Sequence, residues 1–117
     1  MSELLLKFED ENGVERRFSV RQEIFTVGRH SGCDLSIADG RLSREHLKIE
    51  RFGDIFVAAD LGSSNGTTVN GKSLASPTKL QNNDLLNLGG LEFKITIASN
   101  GYAKSSAAFF DEDEFAE

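Results

Sequence analysis

The segment SSNGTTVNGKSL, residues 63–74, identifies the fold class of this chain. Residues 67–69 and 72–74 have the character of short strands, and Asn70-Gly71 lies between them. Asn-Gly suits a two-residue type I′ hairpin turn, because both central positions of that turn need a left-handed backbone. The segment therefore predicts a β-hairpin that is preceded by a polar loop.

Alternation of apolar and polar residues continues on both sides of this segment. Residues 85–88 and 91–97 are expected to pair across Gly89-Gly90. Residues 4–9 and 14–20 are expected to form a hairpin around Glu11-Asn12-Gly13. Further runs with strand character are 24–27, 35–37, 47–51 and 55–59. About ten or eleven short strands with Gly and Asn turns are typical of an all-β, antiparallel sandwich.

One of these runs, residues 55–59, is apolar almost throughout, whereas its neighbours alternate. A continuously apolar strand is typical of a sheet that is covered on both faces. The sequence therefore predicts that residues 55–59 are buried from both sides.

Residues 42–52 leave an alternative open. Leu42, His46 and Ile49 have near-helical spacing, so the segment could be a short helix with Ser43 as its N-cap. The strand interpretation is preferred, because the alternation after His46 continues the pattern on both sides.

Length and composition indicate one intracellular domain. The chain has 117 residues, 38% of them hydrophobic, which is enough for one core. The single cysteine, Cys33, excludes an internal disulfide and a site with several cysteine ligands. The apolar run at residues 4–6 is followed at once by Lys7 and acids, so neither a signal peptide nor a membrane span is expected. The expectation is a soluble, cytoplasmic protein.

Charge is unevenly distributed along the chain. The net charge is −6, and five of the nineteen acids lie in residues 111–117. Residues 1–110 therefore contain fourteen acids and thirteen Lys and Arg, a net charge of −1. A nearly neutral domain gives little electrostatic support for binding nucleic acid. We expect neither a nucleic acid nor a membrane as a partner.

Four polar clusters fall at the ends of predicted strands: Gly28-Arg29, Ser43-Arg44-Glu45-His46, Ser63-Ser64-Asn65-Gly66 and Asn70-Gly71. Side chains at strand ends can converge on one ligand even when they are distant in sequence. A phosphate needs a forked cation and hydroxyl or amide donors, away from carboxylates. Arg29, Ser43 and Ser64 supply the cation and the hydroxyls, and the Asn65 amide can bond the main chain of a peptide.

These clusters resemble the signature of the forkhead-associated (FHA) domain, over roughly residues 4–97. The resemblance implies an eleven-stranded β-sandwich that binds phosphothreonine peptides through loops at one end. It implies that Arg29 and Ser43 hold the phosphate and that Ser64 and Arg44 assist. It further implies that Asn65 bonds the peptide backbone and that Arg41 contacts a side chain downstream of the phosphothreonine.

The remaining motif residues are structural in this family. The resemblance implies that His46 braces the loop that presents Ser43. The same resemblance assigns the shaping of turns to Gly28, Gly66, Asn70 and Gly71.

The function that the resemblance implies is phosphothreonine-dependent peptide binding in Ser/Thr kinase signalling. The expected partner is a threonine-phosphorylated protein, and neither a cofactor nor enzymatic activity is expected. The alternative is a scaffold of the same fold that makes phosphate-independent contacts in a larger assembly. The sequence leaves the oligomeric state open.

Three enzyme-like or metal-binding patterns in the sequence lack the context that their chemistry needs. Residues 66–73, GTTVNGKS, match the P-loop pattern, but a P-loop needs a helix that opens at its Lys-Ser, and here Thr-Thr-Val is strand-like. Ser43, His46 and Asp60 suggest a hydrolase triad, but no nucleophile elbow is present. Two His and one Cys, widely spaced, make a metal site improbable.

Residues 1–98 are predicted to form the binding domain, and residues 99–117 a flexible acidic tail or linker. The tail is small and polar up to Ala108 and then reads FFDEDEFAE. It contains no threonine, so it cannot be the phosphothreonine ligand of this domain. One hypothesis is that its acids compete weakly with phosphopeptides for the arginines of the site.

Overall fold

A computed structural model describes residues 2–10 and 12–99 of the chain, and these residues form eleven strands. The strands are β1 (Ser2–Glu9), β2 (Glu15–Val20), β3 (Ile24–Gly28), β4 (Leu35–Ser36), β5 (Leu47–Phe52), β6 (Ile55–Asp60), β7 (Thr67–Val69), β8 (Lys72–Ser73), β9 (Thr78–Lys79), β10 (Leu85–Leu88) and β11 (Leu91–Ser99). Nowhere in residues 2–10 and 12–99 is there an apolar helix of membrane-spanning length.

The strands form two sheets that pack face to face. One has six strands in the order β2-β1-β11-β10-β7-β8, and the other has five in the order β4-β3-β5-β6-β9. Every pair with a determined register is antiparallel except β3 with β4, where Val27 lies opposite Leu35 and Gly28 opposite Ser36. The predicted all-β sandwich is confirmed.

Alternate residues of the central strands fill the space between the sheets, because successive side chains of a strand point to opposite faces. From the six-stranded sheet, Leu6 and Phe93 are almost completely buried. From the five-stranded sheet, Ile49, Phe56 and Ala58 are completely buried. The Phe8 ring packs against the Phe93 ring, with 5.0 Å between their centroids. The apolar half of each alternating run is therefore the core.

All three predicted hairpins are confirmed. Asn70 and Gly71 have φ values of 53° and 84°, the left-handed backbone that a type I′ turn requires, and Val69 pairs with Lys72 across them. Strands β10 and β11 pair across Gly89-Gly90, with Leu88 opposite Leu91. Strands β1 and β2 pair over six residues, so the hairpin predicted for residues 4–9 and 14–20 is also present.

The helical alternative for residues 42–52 is wrong. Residues 47–52 form β5, and the segment before it is a loop whose main chain is bonded to the end of β3. The amide of Arg29 donates to the carbonyl of Ser43 at 2.9 Å, and the amide of His46 donates to the carbonyl of Val27 at 3.0 Å. Main-chain groups that would bond within a helix are bonded instead to the end of β3 and the residue that follows it.

The prediction that residues 55–59 are covered on both faces is wrong within the described residues. Phe56 and Ala58 are buried in the core, but on the other face Ile55 is 43% exposed and Val57 is half-buried. The two faces of β6 are apolar although only one of them is covered by another part of the described chain.

Neighbouring leucines on β10 test this division between core and surface. Leu86→Ala removes a side chain that is 1% exposed and should lower the free energy of unfolding by about 2–5 kcal/mol, because it leaves a cavity. Leu85→Ala, at a position that is 41% exposed on the same strand, should change it by about 0.5 kcal/mol. Urea denaturation followed by circular dichroism measures both; equal losses would contradict the assignment.

Candidate functional site

The polar clusters lie together at one pole of the sandwich. In the antiparallel register, Val27 at the end of β3 lies opposite Leu47 at the start of β5, and Leu47 lies opposite Asp60 at the end of β6. The loops that follow or precede these residues therefore emerge side by side. The turn between β10 and β11 reaches the same pole, because the amide of Gly89 donates to the carbonyl of Gly66 at 3.0 Å.

Main-chain bonds join the Gly28-Arg29 cluster to the Ser43 loop. Besides the bond from Arg29 to Ser43, the amide of His30 donates to the carbonyl of Arg44 at 3.0 Å. Gly28 lies so close to this loop that a Cβ atom at position 28 would overlap the carbonyl oxygen of Arg44. Any side chain there would push the two clusters apart, so position 28 requires glycine.

His46 is completely buried and bridges two of the loops. Its Nδ1 accepts the amide proton of Ser43 at 3.1 Å, so the other ring nitrogen carries the proton of the neutral imidazole. Nε2 lies 3.0 Å from the carbonyl oxygen of Gly66 and donates to it. The ring therefore fixes the position of Ser43 relative to the Ser64-containing loop.

Asp60 organises the loop between β6 and β7, a role that the sequence did not reveal. Its carboxylate accepts the amides of Gly62 and Ser63 at 2.8 and 2.7 Å and the hydroxyls of Ser63 and Thr67 at 2.6 Å each. Burial acts to raise the pKa of Asp60, but these four hydrogen bonds outweigh it and hold the pKa below its ordinary value. The Asp-x-Gly-Ser spacing is a local turn signal that could have identified it.

The loops enclose an open groove of about 670 Å³. Of the residues predicted to bind phosphate or peptide, five line it: Arg29, Ser43, Arg44, Ser64 and Asn65. The Arg29 Nε donates to the carbonyl of Leu42 at 3.0 Å, which anchors the guanidinium. Its two terminal nitrogens have no hydrogen-bond partner among residues 2–10 and 12–99.

The hydroxyl of Ser43 is oriented by its neighbour across the groove. Its oxygen accepts the amide proton of Ser64 at 2.9 Å, so its own proton is available to donate. The Asn65 Nδ2 donates to the carbonyl of Arg41 at 2.9 Å, which leaves the Asn65 carbonyl and one N–H for a ligand. The groove thus presents fixed donors rather than mobile ones.

Arg41 does not line the groove. Its guanidinium forms an ion pair with Asp39 at 2.7 Å and donates to the carbonyl of Gly90 at 3.3 Å. The hydrogen bond from Arg41 holds the pKa of Asp39 below its ordinary value.

Of the turn residues, Gly66 and the Asn70-Gly71 pair all have a left-handed backbone, and only the carbonyl of Gly66 contacts the site, through His46 and Gly89.

Six residues that were not predicted to bind the ligand also line the groove: His30, Gly40, Leu42, Glu45, Leu61 and Gly62. The His30 Nδ1 accepts the amide proton of Gly32 at 2.8 Å, so its other nitrogen is the donor. Glu45 places a carboxylate beside a site that was expected to have none. Both residues are adjacent to predicted site residues, Arg29 and Arg44, and that adjacency is the sequence signal that could have found them.

The enzyme-like patterns do not form the geometry that their chemistry needs. Residues 66–73 contain the β7–β8 hairpin instead of a loop that opens a helix. His46 accepts from the main chain of Ser43 and its Nε2 is bonded to Gly66, while Asp60 is bonded to Gly62, Ser63 and Thr67. Ser43, His46 and Asp60 therefore stabilise the loops through these hydrogen bonds and do not form a catalytic triad.

The comparisons with known proteins agree on one family. The FHA domain model matches residues 25–89, from β3 to the β10–β11 turn. The oxoglutarate dehydrogenase inhibitor of Corynebacterium jeikeium is 38% identical over 73 residues, which are 62% of this chain and 50% of that protein. The FHA domain-containing protein FhaA of Mycobacterium tuberculosis is 33% identical over 82 residues, 70% of this chain and 15% of that protein. This chain thus spans half or less of the length of these relatives.

A solved structure from a structural and functional study of phosphothreonine-dependent FHA domain interactions is similar over most of this chain. The two are 31% identical and superpose with a TM-score of 0.72. The match covers 80% of this chain and 95% of the other. The fold is thus shared with that structure.

The hydrogen bonds to Asp60 predict a pH-dependent contribution to stability. Because its pKa is lowered in the folded state, the ionised carboxylate stabilises the fold above its unfolded pKa, and this contribution is lost as the pH falls through the folded value. In Asp60→Asn one acceptor oxygen becomes an NH2 group, so the side chain cannot accept both the two amide protons and the two hydroxyl protons. The change should cost about 1–3 kcal/mol at pH 7. The difference from the wild type should shrink between pH 5 and roughly pH 2.

Urea denaturation at several pH values measures this difference. Asp54→Asn is the matched control, because within the described part of the chain Asp54 accepts a single hydrogen bond, from the main-chain amide of Ser2. A wild-type advantage that stays constant or grows toward low pH would disprove the role assigned to the ionised Asp60.

Proposed function

Because this chain belongs to the FHA domain family, we propose that it is a phosphothreonine-dependent peptide-binding module that mediates protein–protein interaction in Ser/Thr kinase signalling. The observation that carries the proposal is the convergence of Arg29, Ser43 and Ser64 on one groove. These residues come from three separate loops, and main-chain bonds and His46 hold them together.

The groove matches the chemistry of a phosphorylated side chain. A phosphate carries about −1.5 to −2 charges at neutral pH and three acceptor oxygens. The free terminal nitrogens of Arg29 and the hydroxyl of Ser43 would donate to them, and Ser64 and Arg44 would complete the shell. Two or three charge-assisted hydrogen bonds, each worth ~1.5–3 kcal/mol, supply the discrimination against unmodified threonine.

Selectivity for the peptide rests on residues around this shell. The remaining amide groups of Asn65 would bond the main chain on either side of the phosphothreonine. Arg41 is paired with Asp39. It would contact a peptide side chain downstream of the phosphothreonine only if that ion pair were shared with the peptide or broken. We therefore propose Asn65 as the residue that fixes the peptide direction and Arg41 as a weaker, adjustable contact.

The proposed module is non-enzymatic and occupies residues 1–98. Strand β11 extends through Ser99, one residue beyond that boundary. Residues 99–117 are proposed as a tail or linker, and beyond Ser99 they lie outside the described residues. The partner is a threonine-phosphorylated protein, and no cofactor takes part.

Removing the Arg29 guanidinium should weaken phosphopeptide binding by roughly 2–5 kcal/mol, because the phosphate loses its main counter-charge. Isothermal titration calorimetry of Arg29→Ala with a phosphothreonine peptide selected from an oriented library measures the loss. Arg21→Ala is the matched control, since Arg21 is 78% exposed, follows β2 and lies outside the groove lining.

The same titration separates the two functional candidates. The module should bind the phosphorylated peptide and lose detectable binding to its unmodified form. Equal binding of both forms would favour the phosphate-independent scaffold. A large loss of thermal stability in Arg29→Ala would instead mark the residue as structural.

Glu45 should oppose the phosphate electrostatically. Removing its charge in Glu45→Gln should tighten phosphopeptide binding by about 0.2–1 kcal/mol at low salt, and the gain should fade as salt screens it. Glu92→Gln, an exposed position on β11 outside the groove lining, is the control. Weaker binding by Glu45→Gln would show that Glu45 contacts a basic ligand residue.

A further inference from the structure

The outer face of the five-stranded sheet carries an apolar patch far from the groove. It consists of Ile24, Phe52, Ile55 and Val57, which we call the outer-sheet patch. Phe52 and Ile55 lie directly opposite each other, and Ile24 lies opposite Glu50, one position further along that face. Phe52, Ile24 and Ile55 are 57%, 53% and 43% exposed.

This concentration of exposed apolar side chains is unusual for the described part of the molecule. Of the six large hydrophobic residues that are exposed there, three belong to the outer-sheet patch. Contiguous apolar surface of this kind marks interaction sites. The apolar run of residues 55–59 points the same way, because its composition is that of a strand covered on both faces.

The end of β11 lies beside this patch. Ser99 pairs with Ser2, and the Ser2 amide nitrogen donates to the Asp54 carboxylate at 2.8 Å. Asp54 lies in the turn between β5 and β6, directly between Phe52 and Ile55. The chain therefore leaves the last strand next to the patch.

The phosphate-binding groove is at the opposite pole. Leu47 begins β5 on the groove side and Phe52 ends it on the patch side, a distance of about 17 Å at 3.4 Å per residue. A segment that follows Ser99 thus meets the outer-sheet patch before it can reach Arg29.

The sequence after Ser99 has a suitable spacer and an apolar end. Residues 100–108 are mostly small and polar, and Phe109, Phe110 and Phe115 flank four acids. Ten residues of Gly/Ser-type composition span about 17 Å on average, enough to cross from the sheet layer of Ser99 to the outer face. Tethering at this distance gives the segment a high effective concentration at the patch.

We propose that residues 109–115 of the same chain dock on the outer-sheet patch, with Phe109 and Phe110 against Phe52 and Ile55. The charges around the patch are of both signs, with Asp54 beside Phe52 and Ile55 and Lys79 on the far side of Val57. Lys79 lies on the same face opposite Val57 and has no ion-pair partner among residues 2–10 and 12–99.

In the proposed pose, the acids of residues 111–114 would be directed toward Lys79 and away from Asp54. Glu50 is already paired with Lys48 at 3.2 Å, and Glu23 lies at the opposite rim, before Ile24. The docked segment leaves the phosphate groove open, so this inference is independent of the proposed phosphopeptide function.

Nuclear magnetic resonance of the full chain tests the proposal. Amide resonances in ¹H–¹⁵N spectra of the wild type and of the double variant Phe109→Ser, Phe110→Ser are compared. Shifts at Ile24, Phe52, Ile55 and Lys79, with none at Arg29, Ser43 and Ser64, are expected. Shifts in the groove, or none in the patch, would overturn it. Patch shifts that vary with protein concentration would identify a second copy as the occupant and would also overturn it.

Limited chymotrypsin digestion gives a second readout from the other side of the contact. Docking protects the bonds after Phe109 and Phe110, so Phe52→Ser should speed their cleavage about tenfold or more, because an undocked form that is the minor state makes up roughly 0.1–10% of the chains. Leu85→Ser, at a position that is 41% exposed on the other sheet, is the matched control. Equal cleavage rates in wild type, Phe52→Ser and Leu85→Ser would refute the docking.

Discussion

The imidazole of His46 connects loops that the two sheets alone would leave independent. It is completely buried, accepts from the amide of Ser43 and donates to the carbonyl of Gly66. The Gly66 carbonyl also accepts the amide of Gly89, so three loops meet at one oxygen. A buried polar ring with one satisfied donor and one satisfied acceptor tolerates little displacement, because moving it would leave both unpaired. The spacing of the groove donors follows from this contact, and the proposed fit to a phosphate depends on that spacing.

The groove works through placement more than through net charge. Arg29 and Arg44 line it, but Glu45 lines it as well, and the described residues contain thirteen acids against twelve Lys and Arg. We therefore propose that a ligand is attracted by a small local surplus of positive charge and held by oriented donors. Bonds within the protein orient these donors before any ligand arrives: Leu42 anchors Arg29, and Ser64 orients Ser43. Such preorganisation reduces the entropy lost on binding.

Local sequence chemistry was enough to predict the parts of the fold that local chemistry determines. Asn70-Gly71 fixes its turn by backbone preference alone, and period-two alternation locates most strands. Strand β9 was not predicted, because Thr78–Lys79 is a strand only through pairing with β6. The candidate site was predictable where residues share a recognisable spacing. Asp60 and Glu45 were missed, because their roles depend on how the loops close around them.

The two terminal strands of the sandwich pair with each other, with Ser2 opposite Ser99, at the pole away from the groove. A tag or fusion attached beyond either terminal strand would therefore orient the domain in the same way. A biosensor surface, a fluorescent fusion or a second binding module attached beyond either strand would sit behind the sandwich. The groove would then face solvent in every such assembly, whichever strand carries the attachment.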